Sequence, residues 1–365
     1  MKVAIRTDAS FAIGTGHVMR CLTLANGLRT AGAEVAFLTR AHDGNLDELI
    51  RTSGFEVLSL GQSSARDVDE AVSPYARWLG AGQLEDAEAT SDWLSPMPPD
   101  ILLVDHYGLD HVWEEGVSGL AAKLVVIDDL CSRRHRCDVL IDQNLGRTAT
   151  DYADFVSADC LVLAGTAFAM LRDEFRSFRH LSLGRRSRPQ VEQILISMGG
   201  VDLENATGAV LEALRTCRFP AECRLVIIMG PSAPWLDSVK KVAQTLPWPT
   251  EVRVGVSNMA EVMSDSDIAF GAAGSTSWER CCLGLPSLFI VLAENQQAIA
   301  EALAQQGAAV HLCSVNAPDF IDDLRNRTNE LLDDRAKLAT LSEVSSRLVD
   351  GLGVERVVNS VLGEK

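Results

Sequence analysis

The chain has 365 residues, 47% of them apolar, which is enough for two α/β domains that each bury a core of their own. A formal charge of −17 argues against broad binding to nucleic acid or to anionic membranes, since both draw on an excess of Lys and Arg. Nine cysteines, odd in number and without close CxxC pairs, point to reduced thiols rather than a zinc site or a disulfide framework. No apolar run reaches the roughly 18 to 20 residues that span a bilayer. Residues 1–5 enter a strand without the pattern of a secretory signal, so a cytoplasmic protein is expected.

Along the chain, strand-like runs fall at 3–7, 34–39, 55–60, 101–105, 124–128, 139–142 and 161–164, with an amphipathic helix at 17–30 after the first. This alternation predicts a mostly parallel sheet covered on both faces. Several of the runs end in Asp or Gly, at the edge where open α/β sheets place their ligands. A second series has strands at 194–197, 225–229, 252–256, 268–270 and 288–291, with helices such as 205–215 and 296–305. The expected organisation is a Rossmann-like domain over 1–175, a linker over 176–190 and a second Rossmann-like domain over 191–365, its last helix packing back on the first. Residues 175–190 are polar, carry five arginines and contain a Pro, and a charge run of that kind usually faces water.

Between the first strand and the first helix lies Arg6-Thr-Asp8-Ala-Ser-Phe-Ala-Ile-Gly14-Thr-Gly16-His17-Val-Met-Arg20. Gly14 and Gly16 allow the backbone to approach a ligand closely. His17 falls at the helix start, where the positive end of the dipole opposes protonation and favours a neutral imidazole able to act as general base. A cap or a packed side chain is the plainer reading of a lone His; the glycines and the sheet edge tip the balance toward catalysis. A dinucleotide fingerprint fits poorly, because Met19 stands where the third glycine belongs and Thr39-Arg40 replaces the acidic residue after the second strand.

In the second half, the strand at 268–270 runs through Gly271 and Gly274 to Ser275 and Thr276, which open a helix carrying Glu279 one turn in. Such a turn offers N–H groups, hydroxyls and a favourable dipole to a diphosphate, with Glu279 in reach of ribose hydroxyls. Helix capping would account for one of the two hydroxyls. Asn295 and Gln296 start the next helix, as caps or as readers of sugar hydroxyl and acetamido groups. Met198-Gly199-Gly200, followed by Asp202, is a second glycine turn after a strand. The run Asp105-His-Tyr107-Gly-Leu-Asp-His111 looks like a metal cluster on paper, but its residues share no fixed register, and no metal site is expected. Tyr107 reads as a sugar-stacking residue or a core tyrosine.

The segments RTDASFAIGTGHVMRCLTLANGL, VDHYGLD, DVLIDQNLG, LRDEF and GAAGSTSWERCCLGLP together resemble the UDP-sugar hydrolases of pseudaminic acid biosynthesis, the PseG family. That resemblance implies a GT-B fold similar to MurG, with the ligand cleft between two Rossmann-like domains. It also implies hydrolysis of UDP-2,4-diacetamido-2,4,6-trideoxy-β-L-altropyranose to free sugar and UDP. The resemblance implies His17 as catalytic base, Ser275, Thr276 and Glu279 in the UDP site, and Tyr107 near the sugar; the further substrate contacts expected are Arg6, Asp8, Gly14, Gly16, Arg20, Gly199, Gly200, Val256, Gly274, Asn295 and Gln296. Asp173 and Phe168 depart from the Pro and Tyr common in that family and touch none of the inferred chemistry. The expected partner is a small-molecule UDP-sugar, with no nucleic acid, membrane or cofactor, acted on by a monomer. A GT-B glycosyltransferase and a non-catalytic nucleotide-sugar sensor are the competing readings.

Overall fold

The computed structural model describes residues 1–61 and 74–363, and these form two compact units: 1–170 with 352–363, and 171–351. In the first unit the strands are β1 (Lys2–Thr7), β2 (Glu34–Thr39), β3 (Glu56–Ser59), β4 (Ile101–Asp105), β5 (Lys123–Ile127), β6 (Val139–Asp142) and β7 (Leu161–Ala164). They pair in parallel in the order β3-β2-β1-β4-β5-β6-β7. Parallel strands covered on both faces read as continuous apolar runs, and β4 is buried at all five positions. Val3 and Ile5 pack with Leu24 and Leu28 of helix Gly16–Thr30 on one face, while Ala4, Leu102 and Val104 pack with Trp113 on the other. Each large aliphatic side chain buried this way stabilises the unit by about 1.5–3 kcal/mol relative to its exposure.

The order of the first sheet reverses between β1 and β4. Because β1 turns to β2 and β4 turns the other way to β5, their C-terminal ends open a crevice, the usual ligand position in such sheets. Thr7 stands beside Asp105 across that crevice, which brings the loop after β1 to the end of a strand almost a hundred residues later.

The second unit repeats the plan with β8 (Gln193–Ser197), β9 (Arg224–Met229), β10 (Thr250–Val254), β11 (Ile268–Ala272), β12 (Ser287–Ile290) and β13 (Val310–His311), in the order β10-β9-β8-β11-β12-β13. Its switch point lies between β8 and β11, with Ser197 beside Gly271. The turns that follow these strands are Met198-Gly199-Gly200 and Ala273-Gly274-Ser275. The topology therefore gathers both glycine motifs at one sheet edge. The two-residue β13 is absent from the sequence reading, being too short for a periodic signal.

The segment expected as a linker is helix Asp173–Arg186, and it belongs to the second unit. Two of its arginines, Arg179 and Arg186, bond inward to carbonyls, while Arg176 and Arg185 stay exposed. Arg179 donates to the carbonyls of Ser346 (2.7 Å) and Val349 (3.0 Å), Arg186 to those of Met263 (2.9 Å) and Ser266 (2.7 Å), and Arg185 pairs with Asp267. Guanidinium groups that satisfy buried carbonyls look, in sequence, like a solvated charge run. The last helix, Gly353–Leu362, lies in the first unit against helix Gly16–Thr30, where Gly27 leaves room for Val354: a Cβ at position 27 would sit 2.5 Å from it.

Candidate active site

The loop after β1 closes on itself before the helix begins. Gly14 N–H donates to the Ser10 carbonyl at 2.8 Å, and Ser10 Oγ accepts from Ile13 N–H at 3.0 Å. Gly14 holds a φ of +82°, which a side chain would strain, whereas Gly16 has open space around its Cα. This places His17 in the first turn of its helix, 6% exposed, with its ring at the β1/β4 crevice.

His17 Nδ1 lies 2.6 Å from Asp105 Oδ1. Arg20, one turn on, grips the same carboxylate with Nε (2.6 Å to Oδ2) and Nη2 (2.7 Å to Oδ1), and its Nη1 reaches Asp129 at 2.7 Å. Burial alone would raise the Asp105 pKa, but the charges of Arg20 and then His17, with their hydrogen bonds, outweigh it and hold the carboxyl well below the usual carboxylate range. Asp105 is therefore ionised and accepts, so the proton between it and His17 sits on Nδ1. Nε2 is left with the lone pair. A carboxylate that fixes the tautomer and ring orientation of a histidine is the arrangement found behind histidine bases.

Aromatic rings surround this pair. Tyr107 meets His17 edge-on at 4.5 Å between centroids, its hydroxyl donates to Asp129, and Trp78 stacks on it at 5.8 Å. Tyr107 is itself 7% exposed, so it packs against His17 rather than offering an open stacking face; the partly exposed rings of the group are Tyr75 and Trp78. Beneath Tyr107, Arg133 donates to its carbonyl and pairs with Asp128 at 2.7 Å. His135 lies between Glu114 (2.6 Å) and Asp128 (3.6 Å). Burial pulls the His135 pKa down, but hydrogen bonds and charge from Asp128 and Glu114 win and push it up to about 9. A raised histidine contributes stability that is complete below its ordinary value of about 6.5 and is lost as pH rises through about 9. Thermal unfolding from pH 6 to 10 is expected to show a decline on the order of 3 kcal/mol that His135→Gln flattens.

Arg6 and Asp8 correct the sequence reading. Both side chains are fully buried: Arg6 bonds Asp8 (2.7 Å) and Asp86 (2.8 and 3.0 Å), and Asp8 accepts from the Arg40 backbone N–H at 2.7 Å. With no surface to offer, they hold the loop from beneath instead of touching a ligand. The Asp105–His111 run is likewise spent internally. His106 Nδ1 accepts from Gly108 N–H, and Asp110 caps helix His111–Gly116 through Val112 N–H. Burial drives the His106 pKa down to about 3, so the ring is neutral, and with Nδ1 accepting, its Nε2 carries the hydrogen and lies 3.5 Å from Asp8 without a hydrogen bond to it. Among the described residues no group of three His, Cys, Asp or Glu side chains is arranged to hold a metal.

In the second unit, β11 ends at Ala272 and helix Thr276–Cys282 begins after Gly274 and Ser275. The Ser275 hydroxyl makes no capping bond to this helix, so capping does not account for it. Behind the turn, buried Arg280 donates to the Ala272 carbonyl and lies over Phe289; a Cβ at Gly271 would come within 2.2 Å of that guanidinium. Glu279 is mostly buried, and burial pushes its carboxyl up to about 7 against the opposing charge of Arg172, 3.7 Å away. Gly199 and Gly200 are exposed, Gly199 at a φ of +94°, and Gly230 lets the turn pass: a Cβ there would lie 1.9 Å from the Gly200 carbonyl oxygen. Asp202 caps helix Ala206–Leu214 through Ala206 and Thr207 N–H groups. Val256 lies partly exposed just after β10, Asn295 is exposed, and Gln296 accepts from Leu292 N–H with its Nε2 turned toward Gly274.

Residues 197–352 match the sequence model of the glycosyltransferase family 28 C-terminal domain. The crystal structure of MurG from Acinetobacter baumannii matches this chain with a TM-score of 0.70 at 15% identity, covering 99% of both chains. The chain has the GT-B fold. A Campylobacter jejuni protein named UDP-2,4-diacetamido-2,4,6-trideoxy-beta-L-altropyranose hydrolase is 26% identical over 314 residues, 85% of this chain and 98% of that one. An uncharacterised protein of Methanocaldococcus jannaschii is 25% identical over 327 residues, 88% of this chain but 62% of its own length, so the GT-B chain spans less than two thirds of that relative. No helix among the described residues is long and apolar enough to cross a membrane.

Against this fold the sequence reading misses Asp105 as the partner of His17, together with Asp129, Trp78 and Arg172. The available signal is the Asp at the end of β4, the neighbour of β1 at the switch point.

Proposed function

We propose that this protein hydrolyses UDP-2,4-diacetamido-2,4,6-trideoxy-β-L-altropyranose, water attacking the anomeric carbon and UDP departing. The observation that carries the reading is the His17–Asp105 pair, in which an ionised carboxylate leaves Nε2 as a base. Water gives its proton to that nitrogen and its oxygen to carbon; the carbon–oxygen bond to the diphosphate breaks with its electrons on UDP. Gly274, Ser275 and Thr276 receive the diphosphate at the helix start, where N–H groups and the dipole favour negative charge. Glu279 takes ribose hydroxyls, and Asn295 and Gln296 meet neutral groups of the ligand. The choice of sugar is supported by the name of the Campylobacter relative and by the quoted motifs, and would be inherited from them rather than from contact geometry.

A glycosyltransferase is the second reading, favoured by the match of residues 197–352 to a glycosyltransferase domain. Incubation with the UDP-sugar and no acceptor, following free UDP, separates the two. Rapid release without acceptor is expected; release confined to reactions with an acceptor would make the protein a transferase, and no release would remove this sugar. Calorimetry with UDP alone tests the nucleotide contacts. Glu279→Ala is expected to weaken UDP binding by about 1.5–3 kcal/mol, the range for hydrogen bonds to a charged group, and unchanged affinity in the folded variant would take Glu279 out of the site.

A further inference from the structure

At the sheet edge opposite His17, Cys137 and Asp138 lead into β6 and Cys160 leads into β7. These strands are parallel neighbours with Val139 beside Leu161, so the residues that precede them run side by side. Cys137 Sγ and Cys160 Sγ lie 3.7 Å apart, van der Waals contact for two sulfurs and roughly 1.7 Å beyond a disulfide bond. Cys137, with Ser157 and Asp159, lines an open groove of about 360 Å³, and Cys160 is itself partly exposed, so a small reagent can approach either sulfur. The contact with Cys137 lowers the Cys160 pKa, burial opposing it and the Leu140 backbone N–H adding to it. The same contact, followed by burial, pushes the Cys137 thiol up. Two sulfurs in contact, one beside an open groove and the other partly exposed, are placed to exchange with a disulfide reagent.

We propose that Cys137 and Cys160 form a redox-active dithiol that a small-molecule disulfide such as oxidised glutathione converts to an intramolecular disulfide. In the first step the Cys160 thiolate attacks one sulfur of the oxidant, forming a mixed disulfide and releasing one glutathione thiolate. Cys137 then loses its proton to solvent and attacks Cys160 Sγ, forming the protein disulfide and releasing the second glutathione. The two protein thiols lose two hydrogens, and one oxidant becomes two thiols. The ring so closed runs from 137 to 160 and contains Asn144, whose Nδ2 donates to the Asp129 carbonyl at 3.0 Å, and Tyr152, whose hydroxyl holds Asp142 and the Asp128 carbonyl. Oxidation would clamp the segment that braces Asp129.

The test treats the full chain with oxidised glutathione, alkylates remaining thiols and digests without reduction. The expected product is one peptide pair linking Cys137 to Cys160, lost on dithiothreitol, with Tm raised by roughly 5–10 °C while the link persists. Cys137→Ser is expected to trap one glutathione on Cys160, and Cys160→Ser to leave Cys137 free. Recovery of both cysteines alkylated, or of glutathione on each without a link, from treated wild-type protein that remains folded would overturn the proposal.

Discussion

His17→Asn is expected to bind UDP-sugar as the wild type does and to turn it over on the order of 10²- to 10⁴-fold more slowly, the usual contribution of a general base. Asn fills part of the imidazole's place, so the ring pocket bounded by Tyr107 and Asp105 stays closed while the lone pair at Nε2 is gone. Binding by calorimetry and turnover by UDP release should therefore separate. Water enriched in heavy oxygen gives the decisive readout. Label in the released sugar is expected, because carbon–oxygen cleavage leaves UDP with its own oxygens; label in UDP would mean attack at phosphorus and would remove this role from His17 even if the variant were inactive.

Which parts of this site can be read from sequence follows from what each residue's role depends on. His17, Gly14 and Arg20 lie within a few positions of one another on a strand-loop-helix unit, so local periodicity and glycine placement suffice to single them out. Asp105 contacts both His17 and Arg20, yet nothing local marks it as their partner. It lies 88 residues from His17, and what joins them is strand order, a property of the sheet and not of any segment. Arg6 and Asp8 fail in the opposite direction: their position in the loop implies ligand contact, while the pairing of Arg6 with Asp86 draws both inside. The helix at 173–186 fails for a related reason, since polarity marks a side chain as needing partners without saying whether water or carbonyl groups supply them. In the second unit, the glycine turns after β8 and β11 are each visible, but their convergence is a consequence of the β8–β11 switch point.

Asp105→Asn tests the part of the mechanism that the structure adds. With an ionised carboxylate at 2.6 Å, Nδ1 carries the hydrogen and Nε2 the lone pair. An amide at the same place can turn its NH₂ toward Nδ1, which then accepts, so the hydrogen moves to Nε2 and the base is lost without moving the ring. The expected loss in kcat is roughly 10²- to 10⁴-fold with KM little changed, approaching that of His17→Asn. Arg20 also loses a charged partner, although Asp129 still holds its Nη1, so a stability cost on the order of 3 kcal/mol is expected from the broken buried pair. That cost alone could lower activity by loosening the loop. Nitrogen-15 spectra of histidine-labelled protein distinguish the two effects: the His17 signals should report hydrogen on Nδ1 in the wild type and on Nε2 in the variant. An inactive, folded variant that keeps the hydrogen on Nδ1 would show that Asp105 acts through packing, and the tautomer argument would fall with it.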